Sequence, residues 1–152
     1  MQLPLFLTAL LLCSSGAFAS TIEKRQNNAE LAYCIKPINI PKCISARNHA
    51  NEATLQAQRA YTPDQLHNGR GDAFRHCYWN ARMTIDMGGA QAKIFGDLHE
   101  MVPGQPQNER NMDLANNAMG VIVGQQTGSR GYEWARQVCM NLANTGRLTT
   151  LK

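Results

Sequence analysis

From residue 43 onward, apolar positions recur every three to four residues, the period of a helix face, and nowhere alternate with the period of two that a half-buried strand requires. The segment 43–61, CISARNHANEATLQAQRAY, is rich in Ala, Gln and Arg and holds no Gly or Pro, so it predicts a helix that Thr62-Pro63 stops. The stretch TPDQLHNGRG reads as a turn. Asp72 then stands directly before AFRHCYWNARMTIDM, in the place of an N-cap, and the helix it opens runs to Gly88-Gly89. On that helix Asp72, Arg75, His76, Trp79 and Met83 share one face, while Phe74, Cys77, Tyr78, Ala81 and Ile85 cover much of the rest. A helix apolar over so much of its circumference is predicted to be central and buried.

Three more helices follow. GAQAKIFGDLHE ends near Met101, because Pro103, Gly104 and Pro106 cannot continue it. In NERNMDLANNAMGVIVGQQTG, residues Asp113, Asn116, Asn117, Gly120 and Gly124 fall on one side, and Met112, Ala115, Met119, Ile122 and Val123 mark the predicted core side. GYEWARQVCMNLANTG places Trp134, Val138 and Leu142 at core spacing. The expectation is an all-α protein, a single compact domain of four to five helices.

The N-terminus changes the picture of where such a domain works. Residues 1–19, MQLPLFLTALLLCSSGAFA, form an uncharged apolar run that ends with Ala17 and Ala19 in A-x-A spacing, which reads as a secretory signal peptide. Residues 20–25, STIEKR, read as a short propeptide whose Lys24-Arg25 pair resembles the dibasic site of kexin-type processing in fungi. The helical domain is then 26–152. No second apolar stretch follows, so no transmembrane segment is expected in the mature protein and the localisation is extracellular.

Cleavage after Arg25 removes Glu23, Lys24 and Arg25 and lowers the net charge from +4 to +3. That excess permits loose attraction to anionic walls, lipids or nucleic acid, yet no basic run marks a dedicated nucleic-acid surface. No helix combines a strongly basic face with an apolar one, as membrane-lytic peptides do. A monomer is expected, acting on an extracellular substrate or target cell.

Cys13 leaves with the signal peptide, so Cys34, Cys43, Cys77 and Cys139 remain, an even number in an oxidising compartment. Of three connectivities, Cys34–Cys43 with Cys77–Cys139 is favoured, because CIKPINIPKC is short and its two prolines restrict it to turn-like paths.

Three helical segments carry groups that are expensive to bury: Asp72, Arg75 and His76; His99 and Glu100; Asp113, Asn116 and Asn117. Each has a plain structural reading, as a cap, a surface pair or a packing network. Together they supply what general acid–base hydrolysis requires: a base to activate water, a carboxylate to orient it and a cation for the developing oxyanion. The catalytic candidates are therefore His76, Asp72, Arg75, His99, Glu100 and Asp113, with Trp79, Asn116 and Asn117 as binding candidates. No cofactor is predicted. A divalent metal is the alternative, held by His76, His99 and Asp113, although no H-E-x-x-H pair fixes its geometry.

The stretch NGRGDAFRHCYWNARM, the later His99-Glu100 and NERNMDLANNAMG resemble a little-characterised helical domain family of bacterial and fungal secreted proteins, with D-A-F-R-H-x-x-W, H-E and M-D-L-x-N-N motifs. The likeness covers residues 68–124. In bacteria such domains resemble C-terminal payloads of large secreted toxins, which implies antagonism or host interaction without supplying a reaction. A second likeness is to small secreted phospholipases A2, also helical with two disulfides; here Arg75-His76 is followed by Cys77, and no calcium-binding loop precedes it.

The leading expectation is a secreted effector- or toxin-like protein of hydrolase type. Its rival is a non-enzymatic effector or antimicrobial protein whose polar cluster only specifies packing. Phospholipase-like and nuclease activities are further alternatives.

Overall fold

The computed structural model describes residues 27–152, so the signal-peptide, propeptide and Cys13 readings lie outside the described residues. Among the described residues six α-helices follow one another: α1 Asn28–Cys34, α2 Ile40–Ala60, α3 Arg70–Met87, α4 Gly89–His99, α5 Gln107–Thr127 and α6 Gly131–Asn144. Short 3-10 turns at Pro37–Asn39, Pro63–Gln65 and Gly128–Arg130 join some of them. Among the described residues no strand occurs, and the five helices from α2 onward are those the periodicity predicts.

α1 is an addition. Its seven residues bury no side chain, so it shows no core periodicity; Asn27 caps it, its Oδ1 accepting from the amides of Ala29 and Glu30. α2 begins three residues earlier than the pattern suggests. Pro41 sits in its first turn, where the missing N–H costs nothing, so this proline opens the helix.

α3 is the hub and packs against α2, α4, α5 and α6. Twelve of its eighteen residues are buried, as its apolar circumference predicts. Its start corrects the sequence reading: Gly69 is the N-cap, and Asp72 lies in the first turn. The Asp72 carboxylate instead reaches back to accept from the Asn68 amide at 2.7 Å, satisfying a donor just ahead of the helix. The chain enters helix early because the preceding turn folds onto it. A Cβ on Gly71 would stand 2.9 Å from Tyr61 Cβ and 3.0 Å from Leu66 Cδ2.

The α3–α5 contact corrects part of the expected core side of α5: Met112 and Val123 are buried as predicted, but Ala115 and Ile122 are not. Its buried line is Asp113, Asn116, Asn117, Gly120, Val123, Gly124 and Thr127 together with Met112, whereas Ala115 and Ile122 face outward and Met119 is half-buried. The glycines explain the difference. A Cβ on Gly120 would lie 2.2 Å from the Cys77 carbonyl oxygen, and one on Gly124 2.5 Å from Thr84 Cβ. The two backbones touch where these glycines sit, and Ile122 has no room on that side. On α6 the buried residues are Ala135, Cys139, Leu142 and Ala143, with Trp134 and Val138 on the flanks.

Both expected disulfides are present: Cys34–Cys43 ties α1 to α2, and Cys77–Cys139 ties α3 to α6. After α6 the tail turns back across α5. Asn116 clamps Thr149, its Nδ2 donating to the Thr149 carbonyl and its Oδ1 accepting from the Thr149 amide, each at 2.9 Å. Two residues on, the Leu151 amide donates to Asn68 O at 2.8 Å.

Candidate functional site

Asp72, Arg75 and His76 occupy successive positions on the face of α3 turned to α5, which supplies Asp113 and Asn117. Glu100 enters from the C-terminal cap of α4. The close approach of α3 and α5 brings these groups together. Asp72, His76, Glu100, Asp113 and Asn117 are all buried, His76 to 1% exposure. Arg75 is the outward member, with 28% of its side chain exposed.

His76 is held from both ring nitrogens. Nδ1 lies 3.0 Å from Asn117 Oδ1 and 3.6 Å from Glu100 Oε1. An amide oxygen only accepts, so the network assigns the proton to Nδ1 and leaves a lone pair on Nε2. Around Nε2 stand Arg75 Nη2 at 2.6 Å, Asp113 Oδ1 at 3.2 Å and Asp72 Oδ1 at 3.6 Å. The same Arg75 Nη2 donates to Asp72 Oδ1 at 2.6 Å. Asn117 Nδ2 donates to Glu100 Oε1 at 3.1 Å, and Asn80 Nδ2 donates to Asn117 Oδ1 at 2.6 Å. From the loop 101–106, Gln105 Nε2 bridges Glu100 Oε2 at 3.2 Å and Asp113 Oδ2 at 3.1 Å.

The charges do not balance. Three carboxylates face one guanidinium and an imidazole that burial, then the Arg75 charge, hold well below its ordinary pKa and hence neutral. Burial pushes the Asp72 carboxyl up, but the Arg75 charge and the hydrogen bonds from Arg75 and the Asn68 amide outweigh it and hold the group below the usual range. Asp113 takes the strain: burial first, then the Glu100 and Asp72 charges, push its carboxyl up to about 8. Its Oδ1 is buried and accepts no hydrogen bond. A proton on Asp113, or a cation beside it, relieves the excess negative charge.

Asp72, His76 and Asp113 each offer a ligand atom within 4.8 Å of the others, a spacing that could hold a metal ion. This set differs from the expected His76, His99 and Asp113. The His99 side chain is 41% exposed, its Nδ1 stands 3.7 Å from Glu30 Oε2, and its ring meets Trp79 edge-on with centroids 4.9 Å apart. His99 therefore borders the cluster, its ring centroid 6.1 Å from that of His76.

Two binding candidates have structural partners. The Trp79 indole N–H donates to Ala46 O at 3.0 Å inside the core, and Asn116 is committed to the Thr149 backbone. Asn117 is different, because it also lines a cleft of about 560 Å³ between α4 and α5 whose walls include Leu114, Ala118, Val121 and Ile122.

The family model described as a domain of unknown function, DUF6973, matches residues 33–147. The chain belongs to this family. No solved structure matches it. The DUF6973 span contains both disulfides and every member of the His76 cluster, while Thr149, which Asn116 holds, lies just beyond it.

Sequence reasoning missed Gln105, Asn80 and Asn68. Asn80 lies one helical turn past His76, so i+4 spacing from a buried histidine is the signal that finds it. Gln105 sits in a Pro/Gly loop, where no periodicity shows which way a side chain points.

Proposed function

We propose that this DUF6973 chain is a secreted effector of hydrolase type, with His76 and Asp113 as its acid–base pair. Two disulfides suit an oxidising extracellular compartment, and among the described residues no helix is long and apolar enough to cross a membrane. The observation that carries the reading is the Asp113 Oδ1 atom, buried without a hydrogen bond and 3.2 Å from His76 Nε2, in a carboxyl that burial and the neighbouring carboxylates push up to about 8. Two groups whose environments drive their affinities for one proton apart are the raw material of general acid–base chemistry.

Arg75 is the gate in this scheme. Its guanidinium donates to the Nε2 lone pair, and 28% of its side chain is exposed. An anionic oxygen on a substrate draws the guanidinium outward, freeing Nε2 to take a proton from water while Arg75 faces the developing charge. Asn117 holds the opposite edge of the ring, and Glu100 and Gln105 hold Asn117 and Asp113.

The test pairs His76→Gln with Asp113→Asn in toxicity assays and hydrolysis assays on phospholipid, cell-wall polymer and RNA, with circular dichroism as the folding control. Both folded variants are expected to lose at least 100-fold, about the contribution of one acid–base group. Wild-type activity in both folded variants removes the assignment and leaves the non-enzymatic effector reading.

A second reading rests on the ligand spacing of Asp72, His76 and Asp113, with a divalent cation in place of the Asp113 proton. Melting after chelation, then with Zn²⁺ or Mn²⁺ restored, distinguishes the two. A rise in Tm that Asp113→Asn abolishes favours the cation.

A further inference from the structure

The end of the molecule closed by Cys34–Cys43 shows aliphatic side chains to solvent. Leu31, Ile35, Ile38, Ile40 and Ile44 are 45–79% exposed, five large apolar residues within fourteen positions. Single exposed aliphatics are ordinary, but such a concentration marks an interaction surface. Its geometry is fixed rather than floppy. The disulfide joins the two ends of the segment, Pro37 and Pro41 constrain it, and Asn39 Nδ2 donates to Tyr33 O at 2.9 Å beneath it. The inner side is anchored: the Tyr33 ring meets Phe95 edge-on at 5.6 Å, and Gln91 Nε2 donates to the Tyr33 hydroxyl at 3.0 Å.

Along residues 31–51 the charged side chains are all of one sign. Lys36, Lys42 and Arg47 are exposed, and no Asp or Glu occurs between Glu30 and Glu52. Among the described residues none of the three cations pairs with a carboxylate.

We propose that the Cys34–Cys43 cap docks the protein peripherally on an anionic lipid surface, Ile35 and Ile38 entering the acyl boundary while Lys36, Lys42 and Arg47 meet the headgroup phosphates. Aliphatic wedges flanked by lysine suit a bilayer interface, where each buried methylene and each cation near the surface adds affinity. Protein hot spots are instead enriched in Trp, Tyr and Arg, which the cap offers only at its edge. A second copy is a poor occupant, because a two-fold interface through this patch sets like charges against one another. The docking is shallow, since no described helix is long and apolar enough to cross a bilayer.

The test is co-sedimentation of the disulfide-bonded protein with vesicles of phosphatidylcholine alone or with about 30% phosphatidylglycerol, in low salt and in about 0.5 M NaCl. Binding is expected on the anionic vesicles and is weakened by salt. Ile38→Ser reduces the partition coefficient about tenfold, and Lys36→Glu with Lys42→Glu reduces it at least tenfold on anionic vesicles only. Leu55→Ser, eleven residues along α2 from Ile44 and 46% exposed, leaves binding unchanged. All these positions are exposed, so melting temperature is expected to hold and loss of binding is not loss of fold. Absence of binding to anionic vesicles overturns the proposal, as does binding indifferent to the isoleucine and lysine changes. A dimer in sedimentation that Ile38→Ser disperses also overturns it, in favour of self-association.

Discussion

Asn117 Oδ1 faces His76 Nδ1 at 3.0 Å, and through that one contact α5 decides which nitrogen of an α3 imidazole carries the proton. The same amide serves Glu100 through Nδ2 and receives Asn80 Nδ2 on its oxygen. Asn117→Ala leaves two buried polar atoms, His76 Nδ1 and Glu100 Oε1, without a hydrogen-bond partner, at about 1–3 kcal/mol each before any water replaces the amide, while Asn80 Nδ2 keeps its bond to the His76 carbonyl. The expected loss is about 3 kcal/mol or more in urea unfolding. Under 1 kcal/mol would mean that water already satisfies the network.

The raised Asp113 carboxyl sets a pH dependence of known sign. Its pKa is about 8 in the fold against 3.8 as the ordinary value, so the folded protein binds the extra proton in between. Its stabilising contribution is complete below the lower value and is lost as pH rises through about 8. His76 and His49, both depressed chiefly by burial, act in the opposite direction, favouring the fold above 6.5 and losing that contribution as pH falls below it. Stability is expected to peak between about 6 and 7. Asp113→Asn abolishes the alkaline decline, so its Tm at pH 8.5 exceeds that of the parent, a comparison calorimetry makes directly.

Gly120→Ala tests the backbone contact under the cluster. Its Cβ would sit 2.2 Å from the Cys77 carbonyl oxygen and 2.8 Å from Asn80 Cβ, and the carbonyl belongs to a central helix that cannot rotate away. α5 must then move off α3. Overpacking of this kind costs about 1–3 kcal/mol, with the upper end expected here because the obstructing atom is backbone. The same displacement separates His76 from Asn117, so a shift in the histidine NMR signals is expected with the stability loss.

The disulfides are expected to contribute unequally. Opening Cys77–Cys139, whose partners are 62 residues apart, costs about 4 kcal/mol in the chain-entropy model, against about 2.5–3 kcal/mol for Cys34–Cys43 with a separation of 9. Both long-bridge sulfurs are fully buried, so alanine pairs at 77 and 139 also lose packing. Chemical denaturation of the two double-alanine variants checks the order.

Most of the scaffold was legible because helix periodicity is a local property: α2 to α6 announce themselves in windows of a dozen residues. α1 did not, since a short helix with no buried side chain leaves no stripe to read. The error on α5 has a different cause. Apolarity alone points Ile122 inward, but Gly120 and Gly124 let two backbones meet, and small and polar groups took the interior instead. At the site, three groups of candidate residues in separate segments converge as their shared cost of burial suggested. His99 stays at the margin, and the partners from loops, Gln105 and Asn68, carry no pattern. A further network around the buried His49, its other members half-buried or exposed, escaped notice for the same reason. His49 Nε2 meets Asp86 Oδ2 at 2.9 Å, Arg82 Nε donates to His49 Nδ1 at 3.1 Å, and the Tyr132 hydroxyl donates to Asp86, joining α2, α3 and α6 through residues far apart in sequence.

The returning tail gives the last few residues reach beyond their size. Thr149 holds Asn116 one position from Asn117, and Leu151 holds the carbonyl of Asn68, whose amide in turn braces Asp72. Trimming the chain after Arg147, or pulling its end aside with a bulky fusion, would slacken the imidazole's surroundings from two directions at once while leaving every candidate side chain chemically intact.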